Sequence, residues 1–260
     1  MIGHLLLQGA AAVGGLMLIL WLIHLPIRNA AIVDAGWAGG LALLAVLYAA
    51  EGNGYPSRAR LMAAMAATWG LRLALYLLLT RVLGHPEEGR YQELRRKWKT
   101  NISLKFLAFF EFQALLCILL SAPFLLASIN PAPELSPLEY AGAALWLVAL
   151  IGEVTADTQL SRFKANPANR GKLCTVGLWN YSRHPNYFFE TLIWFAYALF
   201  ALASKWGWIG LVSPALILYF ILKVTGIPAT EAQALRTRGE AYRRYQQSTS
   251  MFIPWFKKQS

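Results

Sequence analysis

Cysteine is nearly absent from this chain: two among 260 residues, Cys117 in an apolar run and Cys174 in a polar stretch. That excludes a disulfide framework, and neither residue has metal-ligand spacing. Histidine is equally sparse at four, and His4, His24 and His85 have no partner at ligand spacing, so no metal is expected. Charge is the third scarcity. Charged residues make up 14% of the chain and hydrophobic ones 57%, whereas a soluble domain carries about 25% charged residues. An ordinary soluble globule is therefore excluded. No GxGxxG follows a strand pattern and no GxxxxGKS loop occurs, which removes a Rossmann domain and a P-loop. No internal repeat is visible. No basic folded module stands apart from the apolar segments, so nucleic acid is not an expected partner.

What is present is apolar length. A hydrocarbon core about 30 Å thick is crossed by roughly 20 helical residues. Seven stretches approach that length: 5–27, 30–50, 61–83, 106–129, 140–160, 187–202 and 206–224. The first lacks a basic leader and exceeds a signal-peptide core of roughly 7–15 residues, so it reads as a span. The expected fold is an all-α integral membrane protein of seven spans, with residues 1–129 forming one half of four spans. Residues 130–260 form the other half, which ends in a short polar helix.

Orientation follows from Lys and Arg. With the N-terminus outside, the inner loops hold Arg28, seven basic residues between Arg81 and Lys105, five between Arg162 and Arg183, and the tail with Arg236, Arg238, Arg243, Arg244, Lys257 and Lys258. The outer loops hold only Arg58, Arg60 and Lys205. The C-terminus is then cytoplasmic. The net charge of +11 gathers on one face, where it favours anionic lipid and an anionic soluble ligand.

Ionisable residues inside spans are costly and mark function or structural ion pairs. Six stand out: Asp34, Arg72, Glu111, Glu153, Asp157 and Glu190. Glu153 and Asp157 share a helix face at i,i+4. Lys164 joins them if the fifth helix runs on to Pro167 and Gly171, which stop it. Asn186 and Glu190 stack likewise, as do Arg72 and Tyr76, with Trp69 a turn away. Most of these groups fall in the inner half of the bilayer, the pattern expected of a cavity open to the cytoplasm. Pro123 and Pro214 are expected to kink their helices. In the tail, Leu235, Tyr242, Tyr245 and Phe252 line one side of a short helix, suited to an interfacial anchor or to a lid.

The stretch "GLWNYSRHPNYFFE" (177–190) resembles the signature of the steroid 5-alpha-reductase and sterol reductase superfamily. Arg183, His184, Asn186, Tyr187 and Glu190 fit its Arg-His-x-Asn-Tyr-x-Gly-Asp/Glu run, with Phe189 where the pattern has Gly. Upstream, "QLSRFK" supplies Gln159, Phe163 and Lys164; downstream, "RGEAYRRY" supplies Gly239, Tyr242 and Tyr245. The segments "VDAGW" and "TWGLRLALYLLLTR" mark a branch similar to the 3-oxo-5-alpha-steroid 4-dehydrogenase C-terminal domain. The resemblance implies a helical bundle holding NADPH, contacted by Asp157, Lys164, Lys172, Arg183, Asn186, Glu190 and Tyr245. Arg72, Glu153, Trp179, Tyr181, His184 and Glu231 complete the implied cofactor set. It also implies reduction of a carbon–carbon double bond conjugated to a carbonyl, in a steroid or another hydrophobic lipid enone. Negative charge then builds on the carbonyl oxygen, which hydrogen-bond donors stabilise. The family's Gln-Glu pair corresponds to Val33-Asp34 and its Tyr to Trp69, with Tyr76 the nearest hydroxyl on that face. Asp34, Tyr76 and Trp69 are the implied catalytic residues. "SRHPNY" is also similar to isoprenylcysteine carboxyl methyltransferases, which bind S-adenosylmethionine, and a non-enzymatic lipid-binding role is a third reading.

Overall fold

The computed structural model describes residues 1–257, so Lys258 of the basic tail lies outside the described residues. Every regular element among them is helical. Among the described residues, six helices are long and apolar enough to cross a membrane: Ile2–Ile27, Ile32–Glu51, Pro56–Val82, Ile102–Leu120, Pro137–Ala165 and the first part of Gly207–Ser248. This is a multi-pass membrane protein. The expected stretch 187–202 folds as a helix of only 17 residues, Pro185–Ala201, about 26 Å at 1.5 Å per residue. Its side chains Ile193, Trp194, Tyr197 and Phe200 are wholly buried within the protein. Such a helix is shielded by its neighbours and is not required to match the bilayer by itself.

The chain divides into two compact units. The first, Met1–Pro137 with Ala201–Val212, contains α1 (Ile2–Ile27), α2 (Ile32–Glu51), α3 (Pro56–Leu77), α4 (Gly89–Trp98), α5 (Ile102–Leu120) and α6 (Ala122–Ser128). Without a hydrophobic driving force between helices in lipid, close approach depends on small residues. The α2–α3 pair shows this: a Cβ on Gly70 would lie 2.6 Å from the Ala38 carbonyl oxygen. One face of α1 stays exposed through Leu7, Leu18, Ile19, Leu22 and Ile23, as a lipid-facing surface must. The expected 106–129 span is not a single kinked helix. It breaks at Ser121, and Pro123 stands in the first turn of α6, where a missing N–H costs no helical bond. Pro214 likewise sits in a first turn, that of Val212–Tyr219.

The second unit, Leu138–Phe200 with Ser213–Ser260, contains α7 (Pro137–Ala165), α8 (Pro185–Ala201), α9 (Val212–Tyr219) and α10 (Ile227–Ser248). A Cβ on Gly152 of α7 would fall 2.3 Å from the Phe189 ring of α8. The Phe189 ring is thus accommodated by a glycine on the facing helix. Trp146 Nε1 donates to the Tyr197 hydroxyl at 3.0 Å and pins the same pair of helices. Beyond the membrane segment, Ala234, Tyr242 and Tyr245 form a small core with Leu173 and Leu235.

Candidate functional site

α7 continues to Ala165 before the 167–169 turn, which keeps Glu153, Asp157 and Lys164 on one continuous helix. Glu153 and Asp157 are buried, whereas Lys164 is exposed. The Asn186 amide donates to Asp157 Oδ1 at 3.4 Å, joining the start of α8 to α7. Gln159 Oε1 accepts from the Leu178 N–H at 2.9 Å, and Trp179 Nε1 donates to the Ala156 carbonyl at 2.9 Å. The "QLSRFK" segment therefore holds the turn that presents the Arg-His motif.

That motif converges on one carboxylate. Glu231 Oε1 accepts from Arg183 Nε at 2.7 Å and from the Tyr242 hydroxyl at 3.2 Å, and His184 Nε2 lies 3.3 Å from it. Glu231 Oε2 accepts from Gln246 Nε2 at 2.8 Å. Burial pushes the Glu231 carboxyl up, but the hydrogen bonds from His184, Arg183 and Gln246 and the Arg183 charge override it, taking the group down to about 2. An ionised carboxylate can only accept, so His184 Nε2 is the donor in this contact. Arg183 Nη1 also donates to the carbonyls of Gln246 (2.9 Å) and Thr249 (2.8 Å). A cation at a helix C-terminus meets the negative end of its dipole. Arg183, 9% exposed, is thus simultaneously an ion-pair partner and a C-terminal cap.

This geometry requires that α10 fold back on itself. In a straight helix Glu231 and Gln246, fifteen positions apart, would be about 22 Å from each other. Gly239, at φ 50° and ψ −123°, breaks the helix between them. No neighbour crowds a Cβ there, so the requirement lies in the backbone, a conformation open essentially to glycine. Gly239→Ala is expected to destabilise the Glu231 network by about 1–3 kcal/mol, seen as faster amide exchange across residues 240–248.

In the first unit, the Asp34 carboxylate is ion-paired with Arg90 and accepts from the Tyr91 hydroxyl at 2.7 Å. Burial and the Asp34 charge raise the Tyr91 phenol well above its usual value, so it remains a donor. Arg90 also stacks on the Tyr91 ring, 4.7 Å from its centroid. Trp69 is fully buried and packs edge-on against Trp37 at 5.9 Å. Arg72 and Tyr76 are half-buried on α3.

The model of a family described as "Protein of unknown function (DUF1295)" matches residues 20–249. The chain belongs to this family. No curated protein and no solved structure matches it. The DUF1295 match takes in Asp34, the Arg-His motif and both arms of α10, and stops where the C-terminal strap begins.

Phe252, expected on the same short helix as Tyr242 and Tyr245, lies instead in a non-helical strap, residues 249–256, because α10 ends at Ser248. The Arg183 N–H donates to the Ser250 carbonyl at 2.8 Å and the Trp255 N–H to the Tyr181 carbonyl at 3.0 Å. The Ser182 hydroxyl donates to the Phe252 carbonyl at 2.8 Å. An open cavity of about 500 Å³ has Arg183, Gln246 and Thr249 in its wall together with Met251, Ile253, Trp255 and Phe256 of the strap. The Tyr245 hydroxyl donates to the Trp179 carbonyl; burial raises its phenol.

The structure therefore brings together Asp157 with Asn186, Arg183 and His184 with Glu231, and Trp179 with Tyr245. Lys172 and Tyr181 are exposed and Glu190 is half-buried. The hydroxyl that Asp34 holds is that of Tyr91, not Tyr76. Tyr91 was legible only as one aromatic in a strongly basic helix.

Proposed function

We propose that this DUF1295-family protein is a membrane-embedded, NADPH-dependent reductase of a carbon–carbon double bond conjugated to a carbonyl. The substrate class is a steroid-like or other lipid enone. The observation that carries this reading is the convergence of the motif residues Arg183 and His184 with Glu231, together with the Asp157–Asn186 pair. The resemblance of residues 177–190 to the sterol reductase signature supplies the chemistry. The distribution of Lys and Arg supports seven spans, an outer N-terminus and a cytoplasmic cofactor side.

The donor set fits a phosphorylated dinucleotide. Asp157, Glu153 and Glu190 offer acceptors for ribose and carboxamide groups, and the exposed Lys164 and Lys172 offer cations for phosphates. Arg183 already faces Glu231, so its role is to shape the wall of the site while the lysines supply net positive charge. When bound, the nicotinamide supplies the hydride. Tyr76 and the Trp69 indole N–H are the donors assigned to the carbonyl oxygen, and only Tyr76 can pass on a proton. Asp34 is fixed in place by Tyr91 and Arg90 and serves as an oriented acceptor.

Calorimetric titration of the purified protein with NADPH, NADH and S-adenosylmethionine tests this. NADPH is expected to bind, and Asn186→Ala and Glu190→Gln are expected to abolish that binding while leaving the protein membrane-inserted. Binding of S-adenosylmethionine in its place, or unaltered NADPH titration of both variants, overturns the reductase reading.

A further inference from the structure

The C-terminal strap leaves one apolar edge exposed at the mouth of the open cavity it lines. Phe252 turns inward, its ring 5.7 Å from that of Phe188 on the first turn of α8. Met251, Ile253, Trp255 and Phe256 face outward, and the last two are 67% and 76% exposed. A contiguous apolar edge of this kind marks an interaction surface. Its placement identifies the partner. The strap's backbone bonds end on Tyr181, Ser182 and Arg183, only a few residues before α8 begins at Pro185. That junction is where the chain passes from polar loop to apolar helix, the change in composition expected at a membrane–water boundary. Trp and its neighbours are favoured at that depth, where an apolar ring meets the acyl boundary and a polar N–H stays wet. Lys257 follows directly, and Arg243 and Arg244 are exposed on the second arm of α10, as anionic headgroups require.

We propose that the outward edge of the strap, Met251, Ile253, Trp255 and Phe256, seats in the anionic surface of the bilayer that the protein spans. In doing so it holds the strap against Arg183. The bilayer thereby becomes one wall of the cavity described above, and detergent removal of that surface loosens the strap. The proposal rests on the membrane reading and on the depth of α8, and it stands whether or not a dinucleotide binds.

The full chain is reconstituted in phosphatidylcholine–phosphatidylglycerol vesicles, and Trp255 fluorescence is taken as the difference between the wild type and Trp255→Phe. This signal is expected to be lost to lipids brominated near the headgroup and to resist aqueous acrylamide. Quenching by acrylamide without quenching by bromolipid places the edge in water and overturns the proposal. Protection from both quenchers means that protein, such as a second copy, covers the edge, and this also overturns it. Ile253→Trp in the Trp255→Phe background supplies a second reporter on the same edge, with the same expected outcome.

Discussion

Glu231→Ala is expected to release the second arm of α10 and the C-terminal strap while leaving the membrane helices folded. The substitution removes the acceptor shared by Arg183, His184, Tyr242 and Gln246. Removing one partner of a buried ion pair costs about 3–5 kcal/mol, because the other charge stays buried and uncompensated. Arg183 would keep only its two carbonyl partners. Hydrogen exchange resolves the outcome: amides of 240–256 should lose protection while those of α7 and α8 retain it. Glu231→Gln preserves shape but not charge and should lose less. If Glu231→Ala leaves exchange across 240–256 unchanged, the carboxylate does not hold this segment.

The same carboxylate predicts an acid response. Its folded value, about 2, lies below the unfolded value of about 4.3. A depressed carboxyl contributes stability that is whole above about pH 5 and drains away as pH falls toward 2. At about 1.4 kcal/mol per unit, the full contribution is about 3 kcal/mol. Glu231→Gln should flatten the acid limb over that window.

Much of this arrangement was legible in local pattern, and the rest was not for definable reasons. The apolar lengths located the helices because a bilayer imposes one dimension on all of them. The i,i+4 placement of Glu153 and Asp157 was readable because α7 is one uninterrupted helix to Ala165. Glu231 could be named only by resemblance, since its partners at 183 and 184 lie 48 and 47 positions away and no periodicity encodes such a contact. Reading the tail as one straight amphipathic helix also fails at Gly239, where a single backbone angle reverses the chain. Phe189 stands out along the sequence as a bulky ring in a helix start, and only the fold shows that it packs on Gly152 of the facing helix. A contact across a helix interface is invisible to a motif read along one stretch of sequence. Asp34 was singled out as a costly charge, and its partners come from α4, a polar helix whose residues carry no membrane signal.

Arg58 shows how charge counting can misassign a residue's role. By position it is one of few cations on the side with little positive charge, and its expected part was topological. In the fold it is 1% exposed, and its guanidinium grips a loop. Nη1 donates to the carbonyls of Asn130 (3.0 Å) and Ala132 (2.7 Å), and Nη2 to that of Glu134. Asn130 extends the knot, its amide donating to the Ala203 carbonyl at 3.1 Å and to the Ser204 hydroxyl at 3.2 Å. Arg58→Met, which keeps length and apolar bulk, strands several buried carbonyls at about 1–3 kcal/mol each. Relaxation will recover part of that, so a net loss of about 3–5 kcal/mol is expected, read as a lowered thermal midpoint in detergent. Arg58→Lys should not rescue it, because a point ammonium cannot reproduce a planar fork spanning three carbonyls. Wild-type stability in the lysine variant would mean that charge alone, and not the fork, anchors the 130–134 loop.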